Sequence, residues 1–145
     1  MSDIHDIEFL GAQFALELES VEMARFTGVS GLGYETAVVE YQDSLMDGKL
    51  ITRKRPGRTT FNDIVLKRGL SPNADLIEWH QKVVEGSVER TNGSIVIYDT
   101  AGIEVGRWNF ERGWPSAWSA SDLDAGADDV MIEELTICHE GLFKA

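Results

Sequence analysis

The sequence predicts a mostly β protein, an antiparallel β-sandwich or barrel with one amphipathic α-helix packed outside it. Three observations carry this expectation. Short runs in which apolar and polar residues alternate recur along the 145 residues, the period of a half-buried strand. Only one stretch, Leu76 to Val84, repeats its apolar residues at helical spacing. Strands and helices do not alternate as they do around a parallel sheet. The length suits one domain, residues 1–145, with a sizeable core.

The elements follow in order. Residues 1–12 have no clear period and read as an N-terminal arm ordered by a neighbour. Phe14, Leu16 and Leu18 alternate with Ala15, Glu17 and Glu19, a strand, and Val21 to Phe26 continues as a second. The stretch GVSGLG, with Gly28, Gly31 and Gly33, lacks the lysine and the following helix of a phosphate loop. Glycines that bend a strand account for it better. Tyr34 to Tyr41 alternates again. Residues 42–58 lose the pattern and read as an extended loop, acidic first (Asp43, Asp47) and basic afterwards (Arg53, Lys54, Arg55). Such opposite charges suit pairing with the same loop on another copy. Pro56-Gly57 is a turn signal, and Thr59 to Lys67 is expected as one strand.

Ser71 and Pro72 suit the N-cap and first position of the helix, and Gly86 its end. Leu76, Ile77, Trp79, His80, Val83 and Val84 form its stripe. Asn92-Gly93 is a turn signal. Ser94 to Tyr98 and Ile103 to Arg112 form a hairpin around Asp99–Gly102, with Trp108 and Phe110 on one face, and Trp114-Pro115 ends it. Val130 to His139 is the last strand, making roughly seven strands and one helix.

Little here points to catalysis or to cofactors. Asp122 to Glu133 partly mimics a calcium loop, but Ala127 stands where the glycine belongs and a strand follows instead of a helix. His5, His80 and His139 sit beside no nucleophile-elbow pattern. Cys138 is the single cysteine, which excludes an internal disulfide, and its apolar strand favours an inert thiol. Neither an enzyme nor a cofactor is expected. The sequon Asn92-Gly93-Ser94 has no secretory signal before it: the opening MSDIHDIEFLGAQ lacks the basic-then-apolar order, so cytoplasmic synthesis is expected. No apolar run reaches membrane-spanning length, so no membrane anchor is expected.

The net charge of −12, from 25 acids and 13 bases, disfavours a nucleic-acid coat or an anionic membrane surface as partner. The basic cluster Arg53, Lys54, Arg55 and Arg58 is the best support for the alternative of a small β-barrel that binds single-stranded nucleic acid.

Four segments in order carry a resemblance: KRPGRT from Lys54, LKRG from Leu66, EVGRWNFERGWP from Glu104, and SDLDAGADDVMIEELTICHEG from Ser121. Together they resemble the tail tube family of contractile phages and related injection machines, over about Phe14 to Leu142. The resemblance implies hexameric rings whose strands join into one continuous β-barrel around a lumen, with the helix outside. The rings stack into a rigid inner tube that a contractile sheath drives through a target envelope. It implies as partners further copies of the chain, the sheath protein, a baseplate initiator, a terminator cap, a tape measure and a lumen cargo of effector protein or DNA. Assembly in the cytoplasm into a phage-like particle is implied too.

Residue by residue, the resemblance makes Arg53, Lys54, Arg55, Pro56, Gly57, Arg58 and Thr59 the bridging loop. It makes Lys67, Arg68 and Gly69 the strand end. Trp79, Trp108, Trp114 and Pro115 become packing positions, and Asp124, Ala125, Gly126 and Glu133 belong to the last loop and strand. A tube-initiating baseplate subunit of the same fold is the close alternative.

Overall fold

The computed structural model describes residues 13–69, 73–121 and 131–145. The expected N-terminal arm, the Ser71-Pro72 helix start and most of the calcium-like loop, including Asp124 and Gly126, lie outside these residues.

Ten strands and one helix are described, in the order β1 (Gln13–Leu18), β2 (Val21–Phe26), β3 (Gly28–Ser30), β4 (Tyr34–Ser44), β5 (Leu50–Phe61), β6 (Ile64–Gly69), α1 (Asp75–Val84), β7 (Thr91–Tyr98), β8 (Glu104–Ala120), β9 (Ile132–Cys138) and β10 (Gly141–Lys144). Eight strands form one antiparallel ladder, β2-β1-β7-β8-β9-β6-β3, with β10 also paired to β8. Among the described residues β4 and β5 pair only with each other.

The ladder folds over at β8. Its first part pairs with β7 and β10, and its second part, from Trp114, with β9. The crossing lies near Arg112, whose φ is +52°. Leu16, Phe26, Ile95 and Phe110 on one side of the fold meet Ile64, Leu66, Leu135 and Ile137 from the other in a single core. The layers also touch directly, with the Thr27 amide donating to the Lys67 carbonyl at 2.9 Å. The ladder strands turn one face toward this core, as their pleat allows, whereas β4 contributes nothing to it. β2 and β3 do not pair with each other, so the ladder is open rather than a closed barrel.

Leu76 anchors α1 in the core, and half-buried Trp79 packs against it. The stripe is narrower than expected, for Ile77 and Val84 are exposed. Asp75 and Glu78 sit in the first turn, where the helix dipole favours anions.

Several expectations fail locally. Residues 42–58 are not an extended loop: they belong to a long hairpin, β4–β5, turning at Leu45–Lys49. Pro56-Gly57 is no turn but lies within β5. An edge strand tolerates a residue without an N–H, and the register shift there accommodates it as a bulge. Thr59 to Lys67 is two strands in two sheets, broken at Asn62-Asp63. Asn92-Gly93 lies inside β7. Gly93 is there because a Cβ would run into the Phe110 ring and the Glu17 carbonyl. Trp114-Pro115 does not end its strand; β8 runs through a register shift to Ala120. β10 was not anticipated. Gly31, by contrast, bends the chain as expected, at φ +83° with the Asp63 carbonyl where a side chain would stand.

Candidate assembly surface

The β4–β5 hairpin is a two-stranded ribbon of ten cross-strand pairs, from Tyr34 opposite Phe61 to Ser44 opposite Leu50. Eleven residues of strand span about 35 Å. Among the described residues it forms no ladder with the rest of the fold, so each strand keeps one edge unpaired by them. Only its base is tied down. The Tyr34 and Phe61 rings lie 5.6 Å apart, and Phe61 is 5.9 Å from His139. His139 is buried, and its Nε2 donates to the Asn62 carbonyl at 2.9 Å. Beyond the base, Val38, Tyr41, Leu45, Met46 and Leu50 are exposed, Met46 completely. An isolated two-stranded ribbon is marginal in water, and apolar residues along open edges are sites for association.

The ribbon's charges pair internally. Arg53 Nε donates to Asp43 Oδ2 at 3.1 Å, and Lys54 lies 3.9 Å from Glu40. The expectation that the acidic and basic parts wait for another copy is corrected here: antiparallel pairing already sets them opposite each other. Arg55 and Arg58 make no ion pair among the described residues. Residues 34–61 hold four acids (Glu35, Glu40, Asp43, Asp47) and five bases (Lys49, Arg53, Lys54, Arg55, Arg58), a balance of +1 that leaves −13 to the rest of the chain.

Two residues picked out far apart in the sequence meet. Arg68 on β6 stands opposite Glu133 on β9 and is ion-paired to it. Glu133 is 1% exposed and the Arg68 side chain 12%. Arg68 also reaches Asp75 of α1 at 3.3 Å and lies over the Phe26 ring. It therefore ties the neighbouring strands β6 and β9 to the helix. Lys67 is exposed and pairs with Glu134, and Gly69 is exposed opposite Ile132. Trp108 packs on the core, Pro115 is fully buried, and Trp114 is half-buried opposite Cys138. Thr59 shares a hydroxyl contact of 2.8 Å with Thr36 across the ribbon.

Sequence reasoning missed Tyr34, Phe61 and His139 as the ribbon's base. It also missed the Arg107–Glu17 pair at 3.0 Å between β8 and β1. Arg107 also pairs with Glu104 at 2.8 Å. Hydrogen bonds to Glu104 and Glu17 hold the guanidinium above its ordinary range, and the Arg107 hydrogen bond lowers the Glu104 carboxyl. Cys138 is half-buried, and desolvation, then Asp63 and Glu140, push its thiol up.

Among the described residues no group of three or more histidine, cysteine or acidic side chains is placed to hold a metal. An open cleft beside Glu19, Asn92 and Phe143 holds no histidine or cysteine, and its Ser94 hydroxyl donates to Asn109 Oδ1 at 2.7 Å. No helix among the described residues is long and apolar enough to cross a membrane.

A packed β body with an unpaired ribbon defines a structural subunit built around its strand edges. The chain belongs to the T4-like virus tail tube protein gp19 family, whose model matches residues 11–143. It is a tail tube protein by family. Among solved structures, a chain of the sheath-tube complex of an extracellular contractile injection system, PVC, in the extended state is 24% identical. The match covers 91% of this chain and 87% of that one at a TM-score of 0.75. A chain of the anti-feeding prophage tube terminating cap matches at 24% identity, 91% and 87% coverage and a TM-score of 0.73. Hcp1 from Flavobacterium johnsoniae matches at 15% identity, 90% and 93% coverage and a TM-score of 0.54. These likenesses show a shared fold. No curated protein sequence matches the chain.

Proposed function

We propose that the chain is the repeating subunit of the inner tube of a contractile injection system or contractile phage tail. Six copies close a ring, their strands continue one another around a lumen, and rings stack into a rigid tube. The observation that carries this reading is the β4–β5 ribbon, with both edges unpaired among the described residues and apolar residues exposed along it. Ring closure satisfies such edges. The open ladder ends at β2 and β3 offer further edges. On this reading Arg53 to Thr59 are bridging residues as one strand of the ribbon rather than as a loop.

The partners follow from the same reading. The solved relatives come from a sheath-tube complex, a tube terminating cap and a baseplate. That supports a sheath around the tube, an initiator below it and a cap above, with a tape measure and a cargo of protein or DNA in the lumen. Assembly takes place in the cytoplasm, into a phage-like particle. The chain acts as a structural element and not as an enzyme.

Negative-stain electron microscopy with light scattering on the purified protein tests this. Hexameric rings or tubes are expected. A monomer at high concentration, still without rings after sheath or baseplate partners are added, refutes it. Rings that stack only on an added initiator complex remain tube subunits, whereas a chain that nucleates tubes of another subunit is the initiator. One observation favours a second reading: β5 carries four bases and no acid. Oligonucleotide binding whose affinity falls steeply with salt, in a protein that forms no rings, would establish a single-strand binder instead.

A further inference from the structure

The apex of the ribbon differs in chemistry from its stem. Leu45 to Lys49 close it as a tight hairpin turn. The Gly48 amide donates to the Leu45 carbonyl at 2.9 Å, and the Leu45 amide to the Lys49 carbonyl at 2.8 Å. Gly48 takes the left-handed conformation that such a turn needs, at φ +84°. The Asp47 carboxylate is used within the turn, where it accepts from the Lys49 amide at 3.0 Å. The large side chains left in water at the apex are apolar: Leu45, Met46 and Leu50, with Met46 exposed over its whole surface.

Met46 is thereby set apart from the other methionines among the described residues. Met23 is half-buried against the core, and Met131 is half-buried as well. Met46 buries nothing within the single chain, so changes to its side chain leave the packing of the body untouched. Its thioether is open to oxidants in water. With hydrogen peroxide the sulfur bonds one peroxide oxygen as the O–O bond breaks. The sulfur is oxidised by two electrons, and the other oxygen leaves as water. The product is a sulfoxide, which turns an apolar side chain into a polar one and is reversed by enzymatic reduction.

We infer that Met46 is an oxidation site that controls assembly and not folding: the thioether permits ring formation, and the sulfoxide opposes it. This rests on the tube reading, in which the exposed apolar residues of the ribbon leave water as copies associate. A sulfoxide at the apex must be desolvated with Leu45 and Leu50, and a polar group buried without a partner is costly. The penalty recurs in every copy of the ring. Leu45 and Leu50 cannot undergo this chemistry, so the control lies in one sulfur. The site is open before assembly and shielded after it. The oxidised chain stays folded, so reduction of the sulfoxide returns it to the assembling pool.

The test uses the full chain carrying Cys138→Ser, so that the methionines are the sulfurs oxidised. Dilute monomer and assembled rings are treated with hydrogen peroxide, and peptide mass spectrometry follows each methionine. In monomer Met46 is oxidised at least about threefold faster than Met23 and Met131, and in rings at least about tenfold more slowly than in monomer. Oxidised monomer keeps its urea unfolding midpoint. The concentration at which rings appear by light scattering and electron microscopy rises at least about tenfold. Met46→Leu, similar in volume and free of sulfur, forms rings before and after peroxide. Met46→Gln carries a permanent polar group and behaves as the oxidised chain does. Oxidised chain that forms rings at the untreated concentration overturns the inference alone. So does a Met46→Leu chain that loses its rings on treatment, or an unfolding midpoint that falls as Met46 is oxidised. Absence of rings in the untreated protein overturns the tube reading and this inference with it.

Discussion

Arg68→Met is the substitution with the largest expected effect outside the apolar core. It removes the cation facing Glu133, a carboxylate with 1% of its surface exposed. Breaking a buried ion pair by deleting one partner costs about 3 to 5 kcal/mol, because the remaining charge is stranded away from water. The contact with Asp75, whose side chain is 27% exposed, adds little. The position over the Phe26 ring adds about 0.5 kcal/mol. A loss of about 4 kcal/mol is a large share of the 5–15 kcal/mol that holds a typical domain folded.

The assay is urea unfolding of dilute monomer, followed by tryptophan fluorescence, with Arg68→Met/Glu133→Leu alongside. Replacing both charges by apolar groups removes the stranded carboxylate, so the double variant recovers most of the loss. A single variant that loses less than about 1 kcal/mol refutes the argument. So does a double variant no more stable than the single.

Three further outcomes follow from the geometry. Gly93→Ala drives a methyl into the Phe110 ring and the Glu17 carbonyl; it should cost about 1 to 3 kcal/mol in urea unfolding, part of it regained with Phe110→Leu. The Glu104 carboxyl, lowered by Arg107, contributes stability that is present above the ordinary carboxylate pKa and lost as pH falls through its lowered value. Its NMR titration should return to the ordinary range in Arg107→Leu, and an unmoved curve would contradict the hydrogen bond. Cys138, whose thiol is pushed up by burial, should be alkylated more slowly at pH 8 in the folded chain than in urea, and equal rates would count against that burial.

The parts of the fold legible in the sequence are those where side-chain period and environment agree. Ser94 to Tyr98 and Ile103 to Arg112 alternate cleanly because one face meets the core, and they form the expected β7–β8 hairpin. Leu76 and Trp79 mark the helix α1 for the same reason. The ribbon was misread because beyond its base both of its faces lack cover among the described residues, so nothing there enforces alternation between Gln42 and Arg58. Pro56-Gly57 and Asn92-Gly93 carry the chemistry of turns but serve a bulge at an open edge and the room needed by the Phe110 ring. Asn62-Asp63 is the break that punctuation could have revealed. The Arg68–Glu133 contact joins residues 65 apart, which no local pattern reports.

β8 runs for 17 residues and belongs to both layers of the body. In mechanical terms the sandwich is seamless along β8 and open between β2 and β3. Two sheets held only by side chains can slide over one another when loaded, since dispersion resists shear weakly contact by contact. Here a thrust entering the β1–β7 layer passes to the β9–β6 layer along covalent backbone. Relative sliding of the layers must bend or stretch that one strand near Arg112. A body loaded along its length therefore deforms first at the ends of the ladder, at β2 and the three-residue β3, where the last hydrogen bonds can open one at a time.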